Sequence, residues 1–74
     1  MVLVYNINKT VYVCFDKLVE YGDITILNDK NHLLHYSNIS NSIYEKFNLN
    51  NYAGNITLKI TCDAINVLKQ LTIR

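Results

Sequence analysis

The first fifteen residues alternate. Leu3, Tyr5 and Ile7 fall on one side of an extended chain, and Val2, Val4 and Asn6 on the other. After Asn8-Lys9 the alternation resumes, with Thr10, Tyr12 and Cys14 opposed to Val11, Val13 and Phe15. β-branched and aromatic residues dominate, as strands favour. A two-residue turn at Asn8-Lys9, where Asn tolerates the left-handed conformation such turns need, sets Tyr5 opposite Tyr12 and Val4 opposite Val13. Residues 16–22 fit either one helical turn or a continuation of the second strand, and Gly22 marks a bend before the next.

The stretch ITILNDKNHLLHY, residues 24–36, reads as a second hairpin. A three-residue loop, Asp29-Lys30-Asn31, closed by Asn28 and His32, puts Asn31 where a left-handed residue belongs. It then faces Ile24 with Tyr36 and Ile26 with Leu34, a uniformly apolar side. A two-residue loop would mix the faces, and burial of one face selects against that slip. In this register His32 lies on the Ile26/Leu34 side and His35 on the opposite side.

Further on the period changes. Ser42 with Glu45 resembles a capping box, Ile39 before it could act as a staple, and Ile43 and Phe47 share a helical face, which predicts a short helix over 41–48. NLNNYAGN then reads as a loop. ITLKITC alternates cleanly, with Ile56, Leu58, Ile60 and Cys62 against Thr57, Lys59 and Thr61. In DAINVLKQL, Ala64, Val67, Leu68 and Leu71 recur at helical spacing behind Asp63 as N-cap, predicting a C-terminal helix. The expected fold is one α+β domain spanning 1–74, in the order β-β-β-β-α-β-α, with an antiparallel sheet and the two helices packed on one face.

Composition narrows the functional classes. The chain has 74 residues, half of them hydrophobic, and a formal net charge of +1. So large an apolar share in a small domain implies either a very complete core or an apolar surface left for a partner, a second copy included. The six lysines are spread out and the one Arg is last. No basic stripe of the kind that neutralises phosphates is visible. No apolar run approaches the roughly 20 residues that cross a bilayer. The start lacks the basic and apolar regions of a signal peptide. The expectation is therefore a soluble cytoplasmic protein with no membrane role, and the Asn-x-Ser/Thr sequons at Asn8, Asn38 and Asn55 read as chance. Asn, Ile, Lys, Tyr and Phe make 34 of the 74 residues, whereas Gly, Ala, Arg and Pro make 5. That is the signature of AT-rich codons, common in phage and mobile-element genes.

Chemical constellations are sparse. Cys14, His32, His35 and Cys62 form a nominal zinc set, but no CxxC pair exists and the cysteines lie in apolar strands, where they read as small hydrophobes. Residues three apart on a strand face opposite sides, so His32 and His35 do not share a ligand position. Asp16, Glu20, Asp23 and Asp29 occupy strand ends and turns, where acids are solvated. No nucleophile elbow, phosphate loop or dinucleotide fingerprint is present. The expected chain is not an enzyme, and no catalytic, metal or cofactor residue is assigned.

The six tyrosines carry more information. Tyr5, Tyr12 and Tyr36 fit sheet faces and read as structural. Tyr21, Asp23, Tyr44, Asn50, Asn51 and Tyr52 combine aromatic anchors with short polar groups, the composition of protein-binding surfaces, and are the expected partner-binding residues. The expected function is a non-enzymatic module, of phage or mobile-element origin, that inhibits a host protein such as a defence nuclease by stoichiometric binding. The alternative is a small nucleic-acid-binding or regulatory protein using Lys9, Lys17, Lys30 and Lys59. A small metal- or thiol-dependent enzyme comes last.

Overall fold

The computed structural model describes residues 2–63 and 65–74. Five antiparallel strands follow one another: β1 (Val2–Ile7), β2 (Thr10–Asn28), β3 (Leu33–Asn48), β4 (Gly54–Cys62) and β5 (Ile65–Ile73). The α+β expectation is therefore corrected. The fold is all-β, a curled antiparallel sheet with no helix among the described residues. β2 is its spine. One edge of β2 carries β3 along almost its whole length, and the other carries β1 on residues 10–15 and β4 on residues 22–28, with β5 beyond β4.

The first hairpin forms in the predicted register, with Tyr5 opposite Tyr12, Val4 opposite Val13 and Asn8 at φ 54°. Residues 16–22 resolve as strand, interrupted by an irregularity: between Cys14 and Val19 β2 advances five residues while β3 advances only from Tyr44 to Ser42. The extra residues flip the buried parity. Val11 and Val13 point inward before the irregularity, and Ile24 and Ile26 after it. Gly22 lies inside β2 rather than at a bend. A Cβ there would sit 2.5 Å from the Thr61 carbonyl oxygen and 2.7 Å from Cys62 Cβ, so its lack of a side chain lets β4 approach.

The second hairpin is closed as expected. The Asn28 N–H donates to the His32 carbonyl at 2.9 Å, and Asn31 adopts φ 63°. Its expected facing pairs are corrected, because a shift between Ile26 and Leu27 makes Leu34 an extra residue. Ile26 faces His35 and Ile24 faces Ser37. Tyr36, expected inside, is exposed, and His35 points to the inner side that was assigned to His32.

Both predicted helices are strand. Residues 41–48 continue β3, pairing Phe47 with Val11 and Glu45 with Val13. A segment of eight residues is too short to hold a helix alone, and the open edge of β2 offers it a full ladder. The presumed capping hydroxyl of Ser42 serves its own strand, accepting from the Tyr44 N–H at 3.2 Å and donating to the Tyr44 carbonyl at 2.8 Å. The C-terminal segment also satisfies a period of two, with Ile65, Val67, Leu71 and Ile73 alternating around Lys69. The edge of β4 decides between the periods. Leu68, placed on the helix's apolar stripe, is 64% exposed. Asp63, expected as N-cap, takes φ 48° in the turn that lets Cys62 pair with Ile65. Ala64, on the same predicted stripe, lies outside the described residues.

The inner face of the curled sheet is the core: Val4, Val11, Val13, Ile24, Ile26, Ile39, Phe47, Ile56, Leu58, Ile60 and Ile73. The β1–β2 turn and the end of the chain meet at one end of the sheet. Lys9 Nζ donates to the carbonyls of Tyr52 at 2.7 Å and Arg74 at 3.3 Å, and Asn6 Nδ2 donates to the Thr72 carbonyl at 3.3 Å. With only two glycines, the chain places asparagines at left-handed turn and bulge positions: Asn8, Asn31, Asn41 and Asn50 all have positive φ. Asn is among the residues that visit this region most readily.

Candidate interaction surface

The outer side of β1, the start of β2 and the end of β3 form a regular grid. Its rows are Leu3–Cys14–Tyr44, Tyr5–Tyr12–Lys46 and Ile7–Thr10–Asn48. Alternation puts every member on the side opposite the core. Leu3 is 58%, Tyr5 37%, Ile7 57% and Tyr44 47% exposed, and no element among the described residues covers them. The Tyr5 and Tyr12 rings stack with centroids 5.1 Å apart, and Tyr12 meets Tyr44 at 6.4 Å in a tilted pair. Cross-strand aromatic pairs of this kind stiffen a face as well as stabilise it. Partial desolvation, then the acidic neighbours Cys14, Tyr44 and Tyr12, raise the Tyr5 phenol above its ordinary pKa, so it stays a neutral donor and acceptor at physiological pH. The grid carries one cation, Lys46, and no carboxylate.

Of the residues expected to bind a partner, only Tyr44 lies on this grid. Tyr21 and Asp23 sit on the outer side of the second half of β2, opposite Ser40 and Asn38. Asn50 and Asn51 are exposed in the β3–β4 loop, where the Asn50 N–H donates to Asn48 Oδ1 at 2.7 Å. Tyr52 is half-buried: its hydroxyl donates to the Asn55 carbonyl at 2.7 Å, and its own carbonyl accepts from Lys9. The sequence reading missed Leu3, Ile7, Tyr5 and Tyr12 as surface candidates. The signal was present, since β1 is apolar on both of its sides.

The chemistry-bearing residues are dispersed. His32 is exposed beyond the hairpin tip, while His35 packs its ring on Phe47 at a centroid distance of 4.3 Å. Cys14 lies on the outer grid and Cys62 in the core, and both thiols are free. Burial, and secondarily the Asp63 carboxylate, push the Cys62 thiol up from its ordinary 9.0, the reverse of what activates a nucleophile. Among the described residues no three His, Cys, Asp or Glu side chains cluster as metal ligands. Lys9, Lys17, Lys30 and Lys59 stand at a turn, the β2 irregularity, the hairpin tip and the outer side of β4, and Lys9 is spent on backbone carbonyls.

The surface is concave at several places. An open cleft of about 490 Å³ is walled chiefly by Asn28, Asn31, Asn55, Thr57, Gln70 and Thr72, with Asp29 as its one carboxylate. A smaller, largely apolar hollow of about 180 Å³ lies at the β2 irregularity among Phe15, Leu18, Val19, Ile65 and Val67, with Asp16, Lys17, Cys62 and Asp63 also on its wall. The cleft is lined by no Cys or His, and the hollow's Cys62 thiol is pushed up by burial, the reverse of the activation a covalent nucleophile needs. No helix among the described residues is long and apolar enough to cross a membrane. No protein-family model and no curated protein sequence matches the chain.

Proposed function

We propose that the chain is a non-enzymatic binding module whose tyrosine grid docks onto a protein. The observation that carries this reading is the exposure of Leu3, Tyr5, Ile7 and Tyr44 together on one ordered face. Isolated exposed hydrophobes are ordinary, but contiguous ones mark contact sites. Tyr and aliphatic anchors with a single Lys and bordering Asn and Thr match the centre and rim of protein interfaces. The AT-rich composition supports a phage or mobile-element source, and the action that follows is stoichiometric blocking of a host protein in the host cytoplasm. A defence nuclease is one target of that kind.

A second reading has one observation in its favour. A stacked tyrosine face with a lysine and no acid also suits the bases of a single-stranded nucleic acid. Leu3 and Ile7 weigh against it, because aliphatic side chains do not stack bases and one Lys neutralises little phosphate.

The test compares the wild-type chain with a Leu3→Lys/Ile7→Lys double variant whose fold is checked by circular dichroism. Wild-type protein retains one host protein at equimolar level from lysate, reconstitutes that complex from purified parts, and the variant does neither. Equal retention by both, or no protein retained at equimolar level, overturns the reading. Salt-sensitive binding of a labelled oligonucleotide by the wild type alone replaces it with the second.

A further inference from the structure

β3 pairs on one side only. Among the described residues, no strand lies against its other edge. Its first half, Leu33–Ser40, reads LLHYSNIS and contains no Lys, Arg, Asp, Glu or Pro. These are the residues that ordinarily blunt a sheet edge against pairing. The edge of β5 differs, since it carries Lys69 and its end is met by Asn6. The backbone groups along eight residues of β3, roughly 26 Å of strand, are thus offered to another chain.

The same segment holds a second anomaly. His35 Nε2 and Ser37 Oγ are shut off from solvent and make no hydrogen bond. Both side chains lie on the inner face, opposite Ile26 and Ile24. Buried polar atoms without partners are rare and costly, so each calls for an explanation.

We propose that two copies of this chain pair antiparallel through Leu33–Ser40 of β3, in the register that places Tyr36 opposite its own symmetry mate. A two-fold axis normal to the sheet keeps inner residues opposite inner residues. Registers meeting that condition differ by steps of two, and the one centred on Tyr36 sets His35 of each copy directly opposite Ser37 of the other. It sets a Ser37 hydroxyl one strand spacing from each His35 ring, once on either side of the axis, so that a turn of the two side chains toward the new strand pairs groups that have no partner within one chain. No charged side chain faces another. A charge-free segment self-pairs without like-charge repulsion, whereas one bearing a single Lys or Glu would not. The result is one sheet continuous across both copies, with the two tyrosine grids left free. The inference is independent of what the grids bind.

Sedimentation equilibrium tests it. The wild-type chain is expected to sediment as a dimer. Tyr36 is 53% exposed, so Tyr36→Lys leaves the fold intact by circular dichroism. The substitution places two ammonium groups face to face and weakens the dimer by about tenfold or more. An equimolar mixture of Tyr36→Lys and Tyr36→Glu chains recovers a heterodimer. Tyr36→Cys under mild oxidation gives a covalent dimer linked through position 36 of both chains, since directly opposed Cβ atoms lie within disulfide reach. A wild-type chain that stays monomeric to its solubility limit overturns the proposal. So does a dimer indifferent to Tyr36→Lys, or a crosslink that maps elsewhere.

Discussion

β1 and β4 occupy the same edge of β2, run in the same sense and bury the same kind of side chain: Val2 and Val4 in one, Ile56, Leu58 and Ile60 in the other. Their outer sides differ. β4 shows Asn55, Thr57, Lys59 and Thr61 to solvent, whereas β1 shows Leu3, Tyr5 and Ile7. One chain, with one codon bias, thus builds both a solvated outer side and an apolar one. Composition alone therefore does not account for the tyrosine grid. β4 is the internal standard for how this chain treats a strand face meant for water.

The comparison can be broken at several strengths. Inner positions should matter most to stability. Leu58→Ala opens a cavity beneath β4 and is expected to cost about 2–5 kcal/mol, read from the denaturation midpoint. Gly22→Ala forces β2 and β4 apart and should cost about 1–3 kcal/mol by the same measurement. If Gly22→Ala unfolds as the wild type does, the close approach of the strands at Thr61 and Cys62 is not tight. Outer positions should separate binding from folding. Leu3→Lys with Ile7→Lys is expected to abolish partner retention while shifting stability by no more than roughly 0.5 kcal/mol per site. Thr57→Lys on β4 should change neither.

The smallest expected effect is a pH dependence. Cys62 is held above its ordinary 9.0 in the folded chain, so its contribution to stability is complete below that value and fades as pH rises through the folded pKa. Denaturation midpoints should fall across that alkaline window, and less so in Cys62→Ala. At neutral pH a thiol reagent should modify half-exposed Cys14 well before core Cys62.

What the sequence made legible was local. The Asn8-Lys9 turn and its register follow from fifteen residues, and the Asn31 conformation from five. What it hid was decided at long range. Residues 41–48 and 65–73 each fit two periods, and the tie was broken by strand edges supplied from elsewhere: β2 for the first, β4 for the second. The one-residue shift at Leu34 likewise exchanged His35 for Tyr36 on the inner side, which no alternation pattern announces. The tyrosine grid was half-legible. The pairing of Tyr5 with Tyr12 was predicted, but Tyr44 joins them only once the supposed helix is a strand. Asn50 and Tyr52, by contrast, bond to Asn48, Leu49 and Asn55 within and beside the β3–β4 loop.

The pairing pattern also sets the order in which chain entropy is lost. β1–β2, β2–β3 and β4–β5 are hairpins between neighbours, each able to zip outward from its own turn. Among the described residues, only the ladder between residues 22–28 and 56–62 joins strands that are not consecutive. Loop closure makes such a contact slow to form. The topology thus divides into a three-stranded piece and a two-stranded one, and the seam between them runs beside Gly22, where the absence of a side chain lets the strands approach.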